Sequence, residues 1–196
     1  MSLPSGAFVL LNSSNSSLRW YRAPEIILNW MHYGQTSDIW SVGCILAEMM
    51  TGKVLFMGRN HLNQLHQIMQ ACGTPDSTFM KKITCKHALK FLETVPQMER
   101  KDLTETLCSM TGRQTRDFDP MAMDLLNQML QLDPDRRPDA SQALAHEFLS
   151  EYSDFMDEPV SPVVFDDGLE GRRLDRDGWR NLLWNEIQDF HPVTHL

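Results

Sequence analysis

The side chains in this chain that could do chemistry are mainly charges, and the spacing of the others argues against several kinds of site. The four cysteines, Cys44, Cys72, Cys85 and Cys108, form no C-x-x-C pair, which argues against a zinc cluster or a dithiol redox motif. Buried thiols in a reducing compartment are the simpler reading. The seven histidines show no H-E-x-x-H spacing, and the ten glycines are scattered, with no G-x-G-x-x-G to cradle a phosphate. What remains is an uneven charge. The net charge is −8, from 26 acidic and 18 basic side chains. Residues 1–146 hold 14 of each sign, whereas residues 147–196 hold 12 acidic and 4 basic. The whole excess therefore lies at the carboxy-terminal end. Such a field disfavours nucleic acid and anionic membrane surfaces and favours basic peptides.

At 196 residues, with 42% hydrophobic and 22% charged side chains, the chain is long enough for one domain with a substantial core. Its periodicity is helical. Ser37 to Met50 is apolar almost all round (Ile39, Trp40, Val42, Ile45, Leu46, Ala47, Met49), the pattern of a buried helix. Ser37 or Asp38 can cap its start, and Gly52 its end. Leu62, Leu65, Ile68, Met69 and Cys72 mark an amphipathic helix, ended by Gly73 with Pro75 beyond. Residues 76–118 read as short helical pieces separated by Pro96 and Gly112, with a longer loop expected around Met110–Asp117. Asp119-Pro120 is a cap followed by an N1 proline, and Asp139 to Gln142 reads as a capping box. Trp179, Leu182, Leu183, Glu186 and Phe190 suggest a final amphipathic helix. No β-periodic run is present, so a mainly α fold is expected. Residues 1–18, with the Asn/Ser run from Asn12 to Ser17, read as a disordered leader. Ala7–Leu11 is too short for a signal sequence, and no stretch approaches a membrane span.

Several strings share one resemblance. Arg19-Trp20-Tyr21-Arg22-Ala23-Pro24-Glu25, followed by Ser37-Asp38-Ile39-Trp40-Ser41-Val42-Gly43-Cys44, resembles the end of the activation segment and the central helix of a eukaryotic protein kinase. Asn29-Trp30-Met31-His32-Tyr33 is similar to the stress-activated branch of the mitogen-activated protein kinases. The resemblance covers residues 19–196. It implies the carboxy-terminal lobe of the kinase fold over residues 19–150, with the family's insert at about 76–118, and a docking segment and final helix over 151–196. The lobe is expected to be incomplete, with no amino-terminal β lobe and no catalytic loop. Phosphoryl transfer in such enzymes needs a Gly-rich loop, a strand lysine, a catalytic-loop Asp and Asn, and an Asp-Phe-Gly metal ligand. This sequence contains no His-Arg-Asp, and Asp117-Phe118-Asp119 lies on the wrong side of Ala23-Pro24-Glu25. No catalytic, cofactor-binding or metal-binding residue is therefore expected. ATP and magnesium belong to a complete parent that phosphorylates Ser/Thr-Pro sites, and the chain alone is expected to be inactive.

The resemblance also implies roles for particular residues. Glu25 should pair with Arg137 of Asp133-Pro134-Asp135-Arg136-Arg137, pinning the activation segment to the lobe. Arg19, Trp20, Tyr21 and Arg22 fall on the substrate side, where the two arginines of an activated relative receive a phosphotyrosine. Asp38, without a catalytic loop to bond, is expected to be a helix cap. Trp30 corresponds to a residue lining a pocket for lipid-like ligands, although core packing is the commoner use of such a tryptophan. Asp154, Asp157 and Glu158 match acidic positions of the docking segment, with Met156 standing where another Asp is expected. The partners implied are basic docking motifs of upstream kinases, phosphatases or substrates, with no nucleic acid and no membrane, in cytoplasm and nucleus. The alternative is a mis-predicted or degraded fragment of a complete, active serine/threonine kinase.

Overall fold

The computed structural model describes residues 19–28, 34–154, 156, 161–163, 168 and 172–190. Among these residues every regular element is helical and no strand occurs. The chain divides into two compact units, Met1–Ser153 and Asp154–Leu196.

The first unit is organised by its apolar helix. Pro24 opens the short helix α1 (Pro24–Ile27), where its missing N–H costs nothing. The long helix α2 (Thr36–Thr51) follows. Trp40 and Ala47 on α2 are fully buried, and Cys44 nearly so. They pack with Phe56, Ile68, Leu103, Leu107, Leu126 and Leu130 in the main core. Each fully buried Leu or Ile contributes about 1.5–3 kcal/mol relative to exposure. Trp40 stacks on Phe56, with ring centroids 5.9 Å apart and planes 18° apart. The opposite face of α2 is open: Val42, Ile45 and Met49 are exposed.

The start of α2 departs from expectation. Gln35 occupies the cap position without a side-chain bond, and Asp38 is not a cap. Asp38 is exposed in the first turn, where its charge still complements the helix dipole. Ser37 is turned inward and buried, bonded to Glu25. The end agrees: Gly52 adopts φ 68° and donates its N–H to the Glu48 carbonyl, a backbone position that residues with a Cβ rarely take.

The remaining helices mostly start at side-chain caps. Asn60 caps α3 (His61–Cys72), Asp76 caps α4 (Ser77–Lys82), and α5 spans Lys86–Thr94 without such a cap. Asp102 caps α6 (Leu103–Thr111), and Asp119 caps α7 (Pro120–Met129), accepting from the N–H groups of Met121 and Ala122. Asp139 and Gln142 form the expected capping box at α8 (Ala140–Leu144). Two readings change. Where a longer loop was expected around Met110–Asp117, α6 runs to Thr111 and a 3₁₀ turn covers Thr115–Asp117, closed by a box between Gln114 and Asp117. On α3, Leu62 is exposed and Gln64 is buried instead.

All four cysteines are free. Burial pushes the Cys44 thiol well above its usual range and raises Cys72 to about 11, so both are unreactive core groups. In the second unit, α9 (Arg176–Asp189) begins at the Asp175 cap. Leu183, Trp184, Ile187 and Phe190 are exposed. Among the described residues no helix is long and apolar enough to cross a membrane.

Candidate functional site

Glu25 reaches its site because Pro24 starts α1 and turns the next carboxylate inward, where it is fully buried. Arg137 arrives from the 3₁₀ turn Pro134–Arg136, which Asp133 caps. The Arg137 Nη1 and Nη2 atoms donate to the two Glu25 oxygens at 2.7 Å each. The rest of the guanidinium is satisfied as well. Nη1 donates to the Thr36 carbonyl at 3.0 Å, Nη2 to Leu132 at 3.1 Å, and Nε to Gln131 at 2.7 Å. Ser37 Oγ donates to Glu25 at 2.8 Å. The guanidinium carbon lies 5.0 Å from the centre of the Trp40 ring. Five donors thus meet five acceptors, a condition under which a buried ion pair persists. The pair inferred for Glu25 and Arg137 is present.

A second ionic group holds the Arg137 segment. Lys82 Nζ on α4 donates to both oxygens of the buried Asp133 and to Asp135, and Arg136 pairs with the α4 cap Asp76 at 2.9 Å. The bonds to Asp133 and then Asp135 raise the Lys82 pKa. Helix α4 is thereby tied to the turn that presents Arg137.

The stretch Arg19–Arg22 is held against residues 56–64. Trp20 Nε1 donates to the Gly58 carbonyl at 3.2 Å, and Arg19 Nη1 to the Arg59 carbonyl at 2.8 Å. Gln64 is the hub. Its fully buried amide donates to the carbonyls of Trp20 (3.2 Å) and Phe56 (3.0 Å) and accepts from the Gly58 N–H at 2.9 Å. A Cβ on Gly58 would lie 2.4 Å from Gln64 Oε1 and 2.5 Å from its Cα, so only glycine fits. Sequence reading missed Gln64; the available signal was an amide four residues before Ile68 on the apolar face of α3. Tyr21 donates its hydroxyl to Glu48 at 2.5 Å. That bond, then burial, raises its pKa. Ser41 Oγ donates to the Tyr21 carbonyl at 2.9 Å. Among the described residues, Arg19 Nε and Arg22 Nη1 are buried without a hydrogen-bond partner.

An open groove of about 430 Å³ lies elsewhere, lined by Asp102, Phe118, Met123, Asp124 and Asn127 among others. Its carboxylates are already engaged, Asp102 as the α6 cap and Asp124 by His146 at 3.0 Å. Of the acidic docking positions, Asp154 is exposed, and its Oδ1 accepts from the Met156 N–H at 2.9 Å. Tyr152 and Met156 beside it are exposed too. Asp157, Glu158 and Trp30 lie outside the described residues.

Comparison with known proteins gives the family. The protein kinase domain family matches residues 9–149. Mitogen-activated protein kinase pmk-1 of Caenorhabditis elegans is 48% identical over 173 residues, covering 88% of this chain and 43% of that protein. Mitogen-activated protein kinase 13 of Homo sapiens is 46% identical over 176 residues, and mitogen-activated protein kinase p38b of Drosophila melanogaster 44% over 176. Each of those two alignments covers 90% of this chain and 46% of the relative. The chain spans a little under half the length of these curated relatives. The buried Glu25–Arg137 clamp and the matched family leave one assignment: the chain belongs to the protein kinase domain family, in its mitogen-activated branch.

Proposed function

We propose that these residues form the carboxy-terminal-lobe portion of a stress-activated mitogen-activated protein kinase, catalytically inactive by themselves, that offers a weak acidic docking surface to basic peptide motifs. The observation that carries the docking reading is the exposed Asp154 carboxylate, within a stretch of 12 acidic and 4 basic side chains. Exposed carboxylates speed encounter and give salt-dependent affinity rather than tight binding. An affinity on the order of 10 µM to 1 mM is expected. Asp157 and Glu158 complete the acidic positions, and the partners are activating kinases, phosphatases or substrates with Lys/Arg-rich motifs in cytoplasm and nucleus.

The parent reaction is ATP- and magnesium-dependent phosphorylation of Ser/Thr-Pro sites. The residues present do not fit that cofactor. The sequence has no Gly-rich loop and no Asp-Phe-Gly. Arg19 and Arg22, with their unused buried nitrogens, would serve an anionic group such as a phosphotyrosine only in a complete activation segment.

Fluorescence titration with a basic docking peptide at two salt concentrations tests the docking reading. Binding that weakens with salt and disappears in Asp154→Asn plus Asp157→Asn is expected; salt-independent binding that survives the double substitution would sink it. A second reading makes these residues part of a complete, active kinase. It is favoured by the share of each relative that the chain spans, and catalytic motifs in the genomic DNA directly upstream would establish it.

A further inference from the structure

We infer that Ser161 is a phosphorylation site for a proline-directed serine/threonine protein kinase, and that its phosphate extends the acidic field of the carboxy-terminal segment. Phosphate transfer to Ser161 does not rest on the docking reading, because it is measured separately from peptide binding; the charge consequence does rest on it.

The sequence contains two hydroxyl–proline dipeptides, Thr74-Pro75 and Ser161-Pro162, and the structure separates them. Thr74 is half-buried. Its N–H donates to the Met98 carbonyl at 3.0 Å, its hydroxyl donates to the same carbonyl at 3.3 Å, and it accepts from the Met98 N–H at 3.3 Å. It follows the C-cap Gly73, whose Cβ position would lie 2.9 Å from the Arg100 nitrogen. Presenting Thr74 to another enzyme would mean opening the junction between α3 and residues 98–101.

Ser161 is held by nothing comparable. Ser161, Pro162 and Val163 are all exposed and lie outside any helix. Among the described residues the Ser161 hydroxyl bonds only Val163, donating to its carbonyl at 2.9 Å and accepting from its N–H at 3.3 Å. This is a local two-residue turn of the kind serine makes readily and gives up cheaply. Pro162 holds Ser161 away from the helical region and has no N–H to satisfy. An enzyme that selects proline after the hydroxyl can take this dipeptide without unfolding a packed element.

In the transfer, Ser161 Oγ forms a bond to the γ-phosphorus of ATP held by the modifying kinase. The bond from that phosphorus to the ADP oxygen breaks, and the hydroxyl proton passes to a base of that kinase. The products are phosphoserine, ADP and a proton. The phosphate brings about 1.5–2 negative charges, three residues beyond Glu158.

The full 196-residue chain is incubated with ATP and an active proline-directed kinase, and phosphopeptides are mapped by mass spectrometry. Modification at Ser161, abolished by Ser161→Ala and unaffected by Thr74→Ala, is expected. Pro162→Ala keeps the hydroxyl and is expected to lose most of the phosphate incorporation. No phosphate on Ser161 while a Ser-Pro control peptide is modified would overturn the proposal, and so would full incorporation in Pro162→Ala. The charge consequence has its own readout. The dissociation constant of a basic peptide should fall by roughly threefold to tenfold on phosphorylation at low salt, and an unchanged constant would overturn that half of the inference.

Discussion

Glu25 and Arg137 are 112 positions apart, yet their pairing was legible because both sit in recognisable strings. The structure added the reason it is tolerated: every guanidinium N–H has an acceptor. Glu25→Gln would leave a buried cation without its counter-charge, and a loss of about 3–5 kcal/mol in urea-denaturation stability is expected. Arg137→Lys should also destabilise, since an ammonium cannot reproduce the fork. Gln64 was not legible. Its amide matters because the Trp20 and Phe56 carbonyls arrive beside it from elsewhere in the chain. Gly58→Ala tests that hub, because the new methyl would collide with Gln64 backbone. A cost of about 1–3 kcal/mol, with quenched or shifted Trp20 fluorescence, is the expected outcome.

Helix starts were the most readable elements, because a cap is a local bond between a side chain and an N–H two or three residues on. Asp119-Pro120 and Asp139–Gln142 behave as their sequence implies. Asp119→Ala should lower stability by about 1 kcal/mol, read as a shift in urea midpoint at constant slope. The failed cap at Asp38 is also instructive. Ser37 was drawn to Glu25, and a tertiary partner displaced the local one. Two exposed carboxylates give the acid limb of stability. Asp76 is held below the usual carboxylate range first by the Phe79 N–H and then by Arg136. Asp124 is held down first by His146 and then by Gln128. A depressed carboxylate stabilises the fold above its unfolded value of about 4 and loses that contribution as pH falls through its folded value. Melting temperature should therefore drop on acidification below about pH 4. In Asp76→Asn plus Asp124→Asn the drop should be shallower, and parallel acid limbs would refute the assignment.

For the whole molecule, the decisive feature of the first unit is that its central helix buries one face and leaves Val42, Ile45 and Met49 open. Such a surface binds apolar dyes and promotes association. Ile45→Gln plus Met49→Gln should reduce dye binding while changing stability by no more than about 0.5 kcal/mol per site. A large fall in melting temperature would mean that this face is covered. A thermal melt of the 196-residue chain bears on the same scale. A cooperative transition marks an independently folding unit, and a broad one with strong dye binding marks a fragment dependent on further chain.

The sequence by itself determined the helical class, the caps at Asp119 and Asp139, the family and the partnership of Glu25 with Arg137, because each is written in local periodicity or in short strings of fixed spacing. Only the tertiary structure decided that Asp38 is no cap, that Gln64 rather than Leu62 faces the core, and that Ser161 is open where Thr74 is held. Those outcomes depend on which carbonyls and side chains distant segments bring together. Burial makes each unpaired polar group costly enough to override a local preference.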